Sequence, residues 1–231
     1  YMTITGGSLI VFADSIEKVV DNMLEVRPTV SVSVPRLFEK IYAKIFESVE
    51  KMPVLKQKIF HWAVGVGRQF VEANYVTKHS SRFLTFKNTV ADRLVFGKLR
   101  QRFGGNIKVI CCGGAPLDKT INEFFWIIGI PIFEGYGLTE TSPVVCFNNL
   151  DHLRFGSVGS ALEETEFRVD ADGELLVRGP MVMTGYYKDE ASTREALQNS
   201  WLRTGDIGRI DDGFVFITDR KKELIITSGG K

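Results

Sequence analysis

The chain has 231 residues, of which 44% are hydrophobic and 25% charged, and its formal net charge is +1. This composition is typical of a soluble globular protein with one large or two small domains, and it gives no basis for binding nucleic acid or an anionic surface. No apolar run reaches the roughly 20 residues of a membrane-spanning helix, and Cys111, Cys112 and Cys146 lack metal-ligand spacing, which indicates buried free thiols.

Two amphipathic helices with a short strand between them are predicted near the start of the chain. Asp14 is a suitable N-cap for the first helix, and Arg27 ends it because a residue before proline avoids the helical region. Residues 29–34 alternate polar and apolar side chains, as a half-buried strand does. Pro35 then suits the first turn of the second helix.

The next stretch contains two long helical patterns. They cover about residues 54–75 and 88–103, and their apolar positions recur at the spacing of a helix. The polar residues 78–81 between them are expected to be exposed.

A strand–helix–strand unit is predicted over residues 107–134. An apolar run over residues 107–112 reads as a buried strand, and Pro116 is expected to open the helix that follows. The strands of such a unit are parallel, so both carboxyl ends lie at one edge of the sheet, where ligands bind. The loop at residues 113–116 and the segment after the second strand should therefore face one crevice. The alternative is two loops that only pack together.

The segment after the second strand has the chemistry of a nucleotide site. Gly135 and Gly137 are expected to turn the backbone sharply and to let a ligand approach closely. Tyr136 between them offers an aromatic face, Thr139 a hydroxyl, and Glu140 a hard carboxylate suited to Mg²⁺. The alternative is an ordinary loop with a solvated glutamate.

From about Gly156 onwards, short β runs alternate with turns, which predicts a small antiparallel subdomain. The predicted strands cover residues 166–169, 174–178, 207–210 and 214–218, with hairpin-type turns at 170–173 and 211–213 and one helix over 190–198. Asp206, expected just before one strand, is either an acceptor for two ribose hydroxyls or a turn aspartate. The charge run at residues 219–223 is either solvated surface or a linker.

Together these stretches resemble the adenylate-forming (AMP-binding) superfamily, and within it the long-chain fatty-acyl-CoA synthetases. The resemblance spans nearly the whole chain, in the family's order, and it is carried by residues 31–42, 113–117, 134–143, 173–180, 185–188, 201–206 and 219–225. It implies an α/β fold that is the second half of the family's large domain: a parallel sheet with flanking helices, plus a small antiparallel β subdomain.

The resemblance also implies the domain organisation. Residues 1–155 would be the α/β part with a helical insert at about 54–103, residues 156–218 the β-rich subdomain, and residues 219–231 the hinge and the start of the small C-terminal domain. The family's phosphate-binding loop and its adenylation lysine have no counterpart in these residues. We therefore expect an internal fragment that is inactive alone.

Residues that bind the nucleotide around adenine are implied by the same resemblance. They are Gly114, Ala115, Pro116, Glu134, Gly135, Tyr136 and Gly137. The first three would line the pocket for adenine and the acyl group, and the tyrosine would stack on adenine.

Phosphate, metal and ribose contacts are implied as well. Thr139 would contact the phosphate and Glu140 would hold Mg²⁺, so these two are the implied catalytic residues. Asp206 and Arg220 would bind the ribose hydroxyls, and Lys222 would be the hinge between the large and small domains.

The implied activity is that of an ATP-dependent long-chain fatty acid–CoA ligase, whose substrates are ATP, a fatty acid and CoA, with Mg²⁺. The expected location is the cytoplasm, with peripheral attachment at the inner face of a membrane as an alternative, and nucleic acid is not an expected partner. Two other functions stay open. One is a fatty acyl-AMP ligase or adenylation domain that passes the acyl group to a carrier protein, and the other is a non-catalytic nucleotide-binding module.

Overall fold

The structure, a computed structural model, describes residues 6–79 and 81–221. Two units form within it. One holds the described residues up to Ile110 together with Glu123–Ile132, and the other holds Cys111–Asn122 with the described residues from Phe133 onwards. The predicted α/β class with an antiparallel β part is confirmed.

The first half of the chain is mainly helical. In chain order its elements are α1 (Val19–Val26), β1 (Val30–Ser33), α2 (Pro35–Glu50), α3 (Val54–Val71), a π-helical turn (Glu72–Val76), α4 (Arg82–Ala91), a second π-helical turn (Asp92–Phe96), α5 (Gly97–Gln101), β2 (Val109–Cys112) and α6 (Lys119–Ile127). Within the described residues, no helix combines the length and the apolar character that crossing a bilayer requires.

The first two helices show what a local pattern can specify. Helix α2 begins at Pro35 as predicted, and its apolar residues at helical spacing are buried. The cap predicted for α1 was wrong, because Lys18 occupies the N-cap position. The backbone N–H of Asp14 instead donates to the side chain of Asn22 at 3.2 Å. The predicted end of α1 is confirmed, with Arg27 in the left-handed region at φ 51°.

Helix α4 starts six residues before the predicted position 88. The hydroxyl of Ser81 caps it by accepting from the backbone N–H of Leu84 at 3.2 Å. The helical path continues through the second π-helical turn into α5, where the Arg100 guanidinium pairs with both carboxylate oxygens of Asp92 at 2.6 and 2.9 Å. Ser81 was not identified as a cap from the sequence.

Two glycines of α3 should respond in opposite ways to alanine. A Cβ at Gly65 meets no atom within 4 Å, so Gly65→Ala should raise the free energy of unfolding by about 1 kcal/mol through helix propensity. A Cβ at Gly67 would lie 2.6 Å from Ile127 and 2.9 Å from Phe96, and overpacking of this kind costs about 1–3 kcal/mol. Urea unfolding of both variants checks this. Equal stabilisation would show that the packing around Gly67 relaxes freely.

The second unit is built on antiparallel strands. They are β3 (Ile132–Gly137), β4 (Val144–Phe147), β5 (Ser160–Ala161), β6 (Glu166–Val169), β7 (Glu174–Arg178), β8 (Leu197–Gln198), β9 (Trp201–Asp211) and β10 (Phe214–Arg220), with helix α7 (Glu190–Ala196) before β8. Their order is β3-β4-β5-β10-β9-β7-β6, and β8 pairs with β9. Hence β10, late in the chain, lies beside β5.

Two hairpins in this unit match the predicted turns. Strands β6 and β7 pair across residues 170–173, and β9 and β10 pair across residues 211–213. Gly173 and Gly213 have φ of 85° and 78°, which a side chain would disfavour. Strand β9 is longer than predicted, so Asp206 lies within a strand rather than before one. Strands β4, β5 and β8 were not predicted.

The buried centre of this unit is formed by Cys146, Leu175 and Val215, with Tyr136 and Ile217 packed against it. The cysteines are free thiols, and Cys112 and Cys146 are buried, as predicted. Burial raises the pKa of Cys146 to about 12, so its thiol stays protonated and acts as a small apolar group.

Candidate functional site

A cavity of about 430 Å³ opens within the second unit. Both segments predicted to face one crevice line it. The predicted site residues along its wall are Gly114, Ala115, Pro116, Gly135, Tyr136, Gly137, Asp206 and Arg220. Apolar side chains of Leu138, Val158 and Ile217 complete much of the lining. The cavity therefore combines an aromatic and apolar wall with two carboxylates, that of Asp219 and that of Asp206, which is paired with Arg220.

The carboxylate of Asp206 joins two other predicted site residues. The hydroxyl of Tyr136 donates to Oδ2 of Asp206 at 2.5 Å, and Nε of Arg220 donates to Oδ1 at 3.0 Å. Asp206 is only 4% exposed, so the pair to Arg220 offsets the cost of burying its charge. Burial, followed by the hydrogen bond to Asp206, raises the pKa of Tyr136, which keeps the phenol protonated as a donor. The sequence offered no sign of this contact.

The glycines beside Tyr136 serve close packing, and their predicted role in a sharp turn was wrong. Both lie in β3, and neither has a positive φ. A Cβ at Gly137 would lie 1.6 Å from the backbone oxygen of Pro143, and one at Gly135 would lie 2.6 Å from the ring of Phe147. Strand β4 approaches β3 so closely that no side chain fits at either position.

The predicted end of the loop between β2 and α6 was also wrong. Pro116 does not open the helix. Oδ1 of Asp118 accepts from the backbone N–H groups of Thr120 and Ile121 at 2.8 and 3.1 Å and caps α6, which starts at Lys119. Because the helix starts later, Pro116 stays in the loop and lines the cavity. Gly114 has φ 84°, which favours glycine there.

Glu134 precedes the cavity-lining Gly135 in β3 and is not itself among the lining residues. Its side chain accepts from Nδ2 of Asn122 at 2.8 Å and from the backbone N–H of Leu117 at 3.4 Å, and the residue is 5% exposed. Burial raises the pKa of this carboxyl to about 7, although both hydrogen bonds oppose the shift. Glu134 thus ties β3 to the loop that carries Pro116.

Stability should therefore depend on the protonation of Glu134. Between its ordinary pKa of 4.5 and about 7, the folded chain binds a proton that the unfolded chain does not. In this window the contribution of Glu134 to the free energy of unfolding falls as pH rises. At 1.36 kcal/mol per pKa unit, the contribution of Glu134 to the free energy of unfolding falls by roughly 3 kcal/mol across this window.

Glu134→Gln removes this dependence, so the variant should gain stability relative to the wild type between pH 5 and pH 8. Urea unfolding at both pH values measures the difference. If the difference in free energy of unfolding between the two proteins is the same at pH 5 and pH 8, Glu134 is ionised throughout and its assigned pKa is wrong.

The implied phosphate and metal residues lie on the 3₁₀ turn Thr139–Thr141, directly after β3. Thr139 is exposed and Glu140 is partly exposed. The hydroxyl of Tyr186 donates to Oε1 of Glu140 at 2.9 Å, and the backbone N–H of Met183 donates to the carbonyl of Glu140 at 2.8 Å. Tyr186 was missed as a site residue, although residues 185–188 belong to the motifs that carry the family resemblance.

A third buried carboxylate, that of Glu174, supports the strand that carries Asp206. Glu174 accepts from the backbone N–H of Gly205 at 2.9 Å, from Arg203 at 2.5 Å and from Lys221 at 2.9 Å. The backbone N–H of Lys221 also donates to the carbonyl of Gly205 at 2.8 Å. Glu174 thus links β7, β9 and the end of β10 beside the cavity. It was missed because nothing in the sequence distinguishes it from a surface glutamate.

The described residues do not test two of the predictions. Lys222, the implied hinge, lies outside the described residues, and the implied domain boundaries stay a prediction.

Among the residues that the structure describes, no group of three or more His, Cys, Asp or Glu side chains forms a metal centre.

Comparison with known proteins shows which family this chain resembles in sequence. The model of the AMP-binding enzyme family matches residues 1–187. The chain is 41% identical over 221 residues to "Long-chain-fatty-acid--CoA ligase FadD15" of Mycobacterium bovis, which covers 95% of this chain and 36% of that protein. It is 36% identical over 242 residues to "Long-chain-fatty-acid--CoA ligase ACSBG2" of Gallus gallus, which covers 100% of this chain and 31% of that protein. The chain thus spans about a third of the length of these relatives.

Solved structures with the same fold include ATP-bound MatB from Rhodopseudomonas palustris, with a TM-score of 0.64 and 24% identity, covering 98% of this chain and 38% of that one. Another is O-succinylbenzoate coenzyme A synthetase (MenE) from Bacillus subtilis in complex with ATP and magnesium ion. Its TM-score is 0.61 at 22% identity, and the match covers 98% of this chain and 39% of that one. Since the family model and the curated relatives each cover most of the sequence, the chain belongs to the AMP-binding enzyme family.

Proposed function

We propose that this chain is part of an ATP-dependent long-chain fatty acid–CoA ligase, which forms an acyl-adenylate and transfers the acyl group to CoA. The observation that carries the proposal is the cavity in which Tyr136, Asp206 and Arg220 are joined by hydrogen bonds. The names of the relatives favour a fatty acid as the carboxylate and CoA as the acceptor. The proposed location is the cytoplasm, with peripheral membrane attachment as the alternative.

The nucleoside would occupy the cavity of the second unit. The flat ring of Tyr136, with the loop of Gly114, Ala115 and Pro116, provides surface for a planar base. Each oxygen of the Asp206 carboxylate can accept a further hydrogen bond beyond those from Tyr136 and Arg220, so it retains capacity for ribose hydroxyls. The paired geometry would hold these acceptors in place before the nucleotide binds.

Glu140 suits a magnesium ion delivered with the nucleotide. Mg²⁺ is usually held through one or two carboxylates together with substrate phosphates and water, so a single glutamate is sufficient. Oε1 accepts from Tyr186, and within the described part of the chain Oε2 accepts no hydrogen bond. When bound, the ion would neutralise charge on the phosphates during attack by the carboxylate. Thr139, exposed one residue earlier, would donate to a phosphate oxygen.

Pyrophosphate release by the full-length protein tests this function. Carboxylates from acetate to long-chain fatty acids are supplied with ATP and Mg²⁺, with and without CoA. We expect release that is fastest with long-chain acids and acyl-CoA as the product when CoA is present. Acyl-AMP that CoA does not consume would support transfer to a carrier protein instead. Nucleotide binding with no turnover of any carboxylate would support the non-catalytic module.

A further inference from the structure

We propose that Tyr186 is a positioning residue for Glu140: its hydroxyl orients the carboxylate so that one oxygen faces a divalent cation. This rests on the proposed function, since it takes Glu140 as the ligand of nucleotide-bound Mg²⁺. Tyr186 itself would touch neither the nucleotide nor the cation.

Two contacts from one segment fix Glu140. The hydroxyl of Tyr186 donates to Oε1 at 2.9 Å, and the backbone N–H of Met183 donates to the main-chain oxygen of Glu140 at 2.8 Å. The main chain and the side chain of Glu140 are therefore both held by residues 183–186. A partly exposed glutamate would otherwise sample several rotamers, at a cost when it must bind.

Tyr186 is itself anchored to the start of α7. Its backbone N–H donates to Oγ1 of Thr193 at 2.9 Å, and that hydroxyl donates to the carbonyl of Asp189 at 2.7 Å. Asp189 caps α7 by accepting from the backbone N–H of Ser192 at 3.0 Å. A Cβ at Gly185 would lie 2.8 Å from Thr193, so this contact is closely packed. The phenol therefore projects from a supported backbone.

A phenol suits this role because it can donate one hydrogen bond without adding a charge. Its donation to Oε1 leaves Oε2 for the cation, and a hydrogen bond of this kind fixes the orientation of a metal-binding carboxylate.

The neighbouring tyrosine provides a matched control. Tyr187 is 87% exposed, whereas Tyr186 is 39% exposed. Tyr187 packs with Lys188, whose Nζ lies 5.2 Å from the centre of its ring. Tyr186→Phe and Tyr187→Phe each remove one hydroxyl from adjacent positions, so a difference between them reports the contact with Glu140. Thr193→Val keeps the Tyr186 hydroxyl but removes its backbone anchor.

The test uses the full-length protein and measures ATP binding by calorimetry at increasing Mg²⁺ concentrations, together with pyrophosphate release. We expect Tyr186→Phe to raise the apparent dissociation constant for Mg²⁺ about 10-fold, the lower end of effects reported for partners of metal ligands. ATP binding without Mg²⁺ should be unchanged. Tyr187→Phe should match the wild type, and Thr193→Val should show a smaller loss than Tyr186→Phe.

In a Glu140→Gln background, Tyr186→Phe should have no further effect on Mg²⁺ dependence. An unchanged or tighter Mg²⁺ constant in Tyr186→Phe overturns the proposal, and so does an equal loss in Tyr187→Phe. A wild type that binds ATP equally well with and without Mg²⁺ overturns the metal role of Glu140 itself. That result is a failure of the proposed function and is visible before any variant is made.

Discussion

Glu140→Gln in the full-length enzyme should lower pyrophosphate release by about 100-fold, in line with the loss of one preorganised charge-stabilising group. The amide keeps the size of the side chain and can still accept from Tyr186, but it loses the negative charge that a magnesium ion requires. Folding should change little because Glu140 is partly exposed. Initial rates at several Mg²⁺ concentrations, with thermal unfolding as a check on structure, provide the measurement.

Glu163→Gln is the control for this prediction, because Glu163 is an exposed glutamate of the same unit, whereas Glu140 is partly exposed. It should retain the wild-type rate. Wild-type-like release by Glu140→Gln at all Mg²⁺ concentrations would show that Glu140 is only a loop carboxylate. If high Mg²⁺ concentration fully restores the rate of Glu140→Gln, then Glu140 contributes only to the affinity for the ion.

Asp206→Ala should weaken the binding of AMP by about 100-fold or more. The carboxylate accepts from Tyr136 and Arg220 and, as proposed, from ribose hydroxyls. Each hydrogen bond to a charged group contributes roughly 1.5–3 kcal/mol. The substitution also leaves the phenol of Tyr136 without its acceptor. Titration calorimetry of the full-length protein with AMP measures the effect without requiring turnover.

Tyr136→Phe separates the aromatic face from the hydrogen bond. It keeps the ring that would stack on the base but removes the donor to Oδ2 of Asp206, so AMP affinity should fall by less than about 10-fold, as one hydrogen bond of roughly 1 kcal/mol implies. Equal losses in Tyr136→Phe and Asp206→Ala would mean that the hydrogen bond between them, rather than contact of Asp206 with ribose, accounts for the affinity. Unchanged binding in both would remove the nucleoside from this cavity.

Much of the fold could be predicted because its signals are local. The boundaries of β6 and β7 agree with the prediction residue for residue, since a turn with glycine at positive φ separates two alternating runs. Helix α2 was equally accessible, because proline at its start and apolar residues three and four apart act within one helix. The hairpins β6–β7 and β9–β10 follow from turns of this kind.

Other elements depend on partners far away in the sequence. Strand β5 has two residues, Ser160 and Ala161, too short for any periodic signal, and it exists because it pairs with β4 and β10. The glycines of β3 were recognised in the sequence, but the reason that glycine is required at these positions was not. Glycine is required because Phe147 and the main chain at Pro143 lie close to β3, and they approach it only once β4 has folded against it.

The sequence by itself determined the residue types of the candidate site, because a ring, a hydroxyl and carboxylates at these positions follow directly from the order of amino acids. It also determined the local helices and hairpins, whose signals lie within a few residues. The tertiary structure alone decided that Tyr136 donates to Asp206, 70 positions later, and that Tyr186 donates to Glu140, 46 positions earlier. The physical reason is that hydrogen bonds act over about 3 Å, and only the tertiary fold brings such distant residues that close.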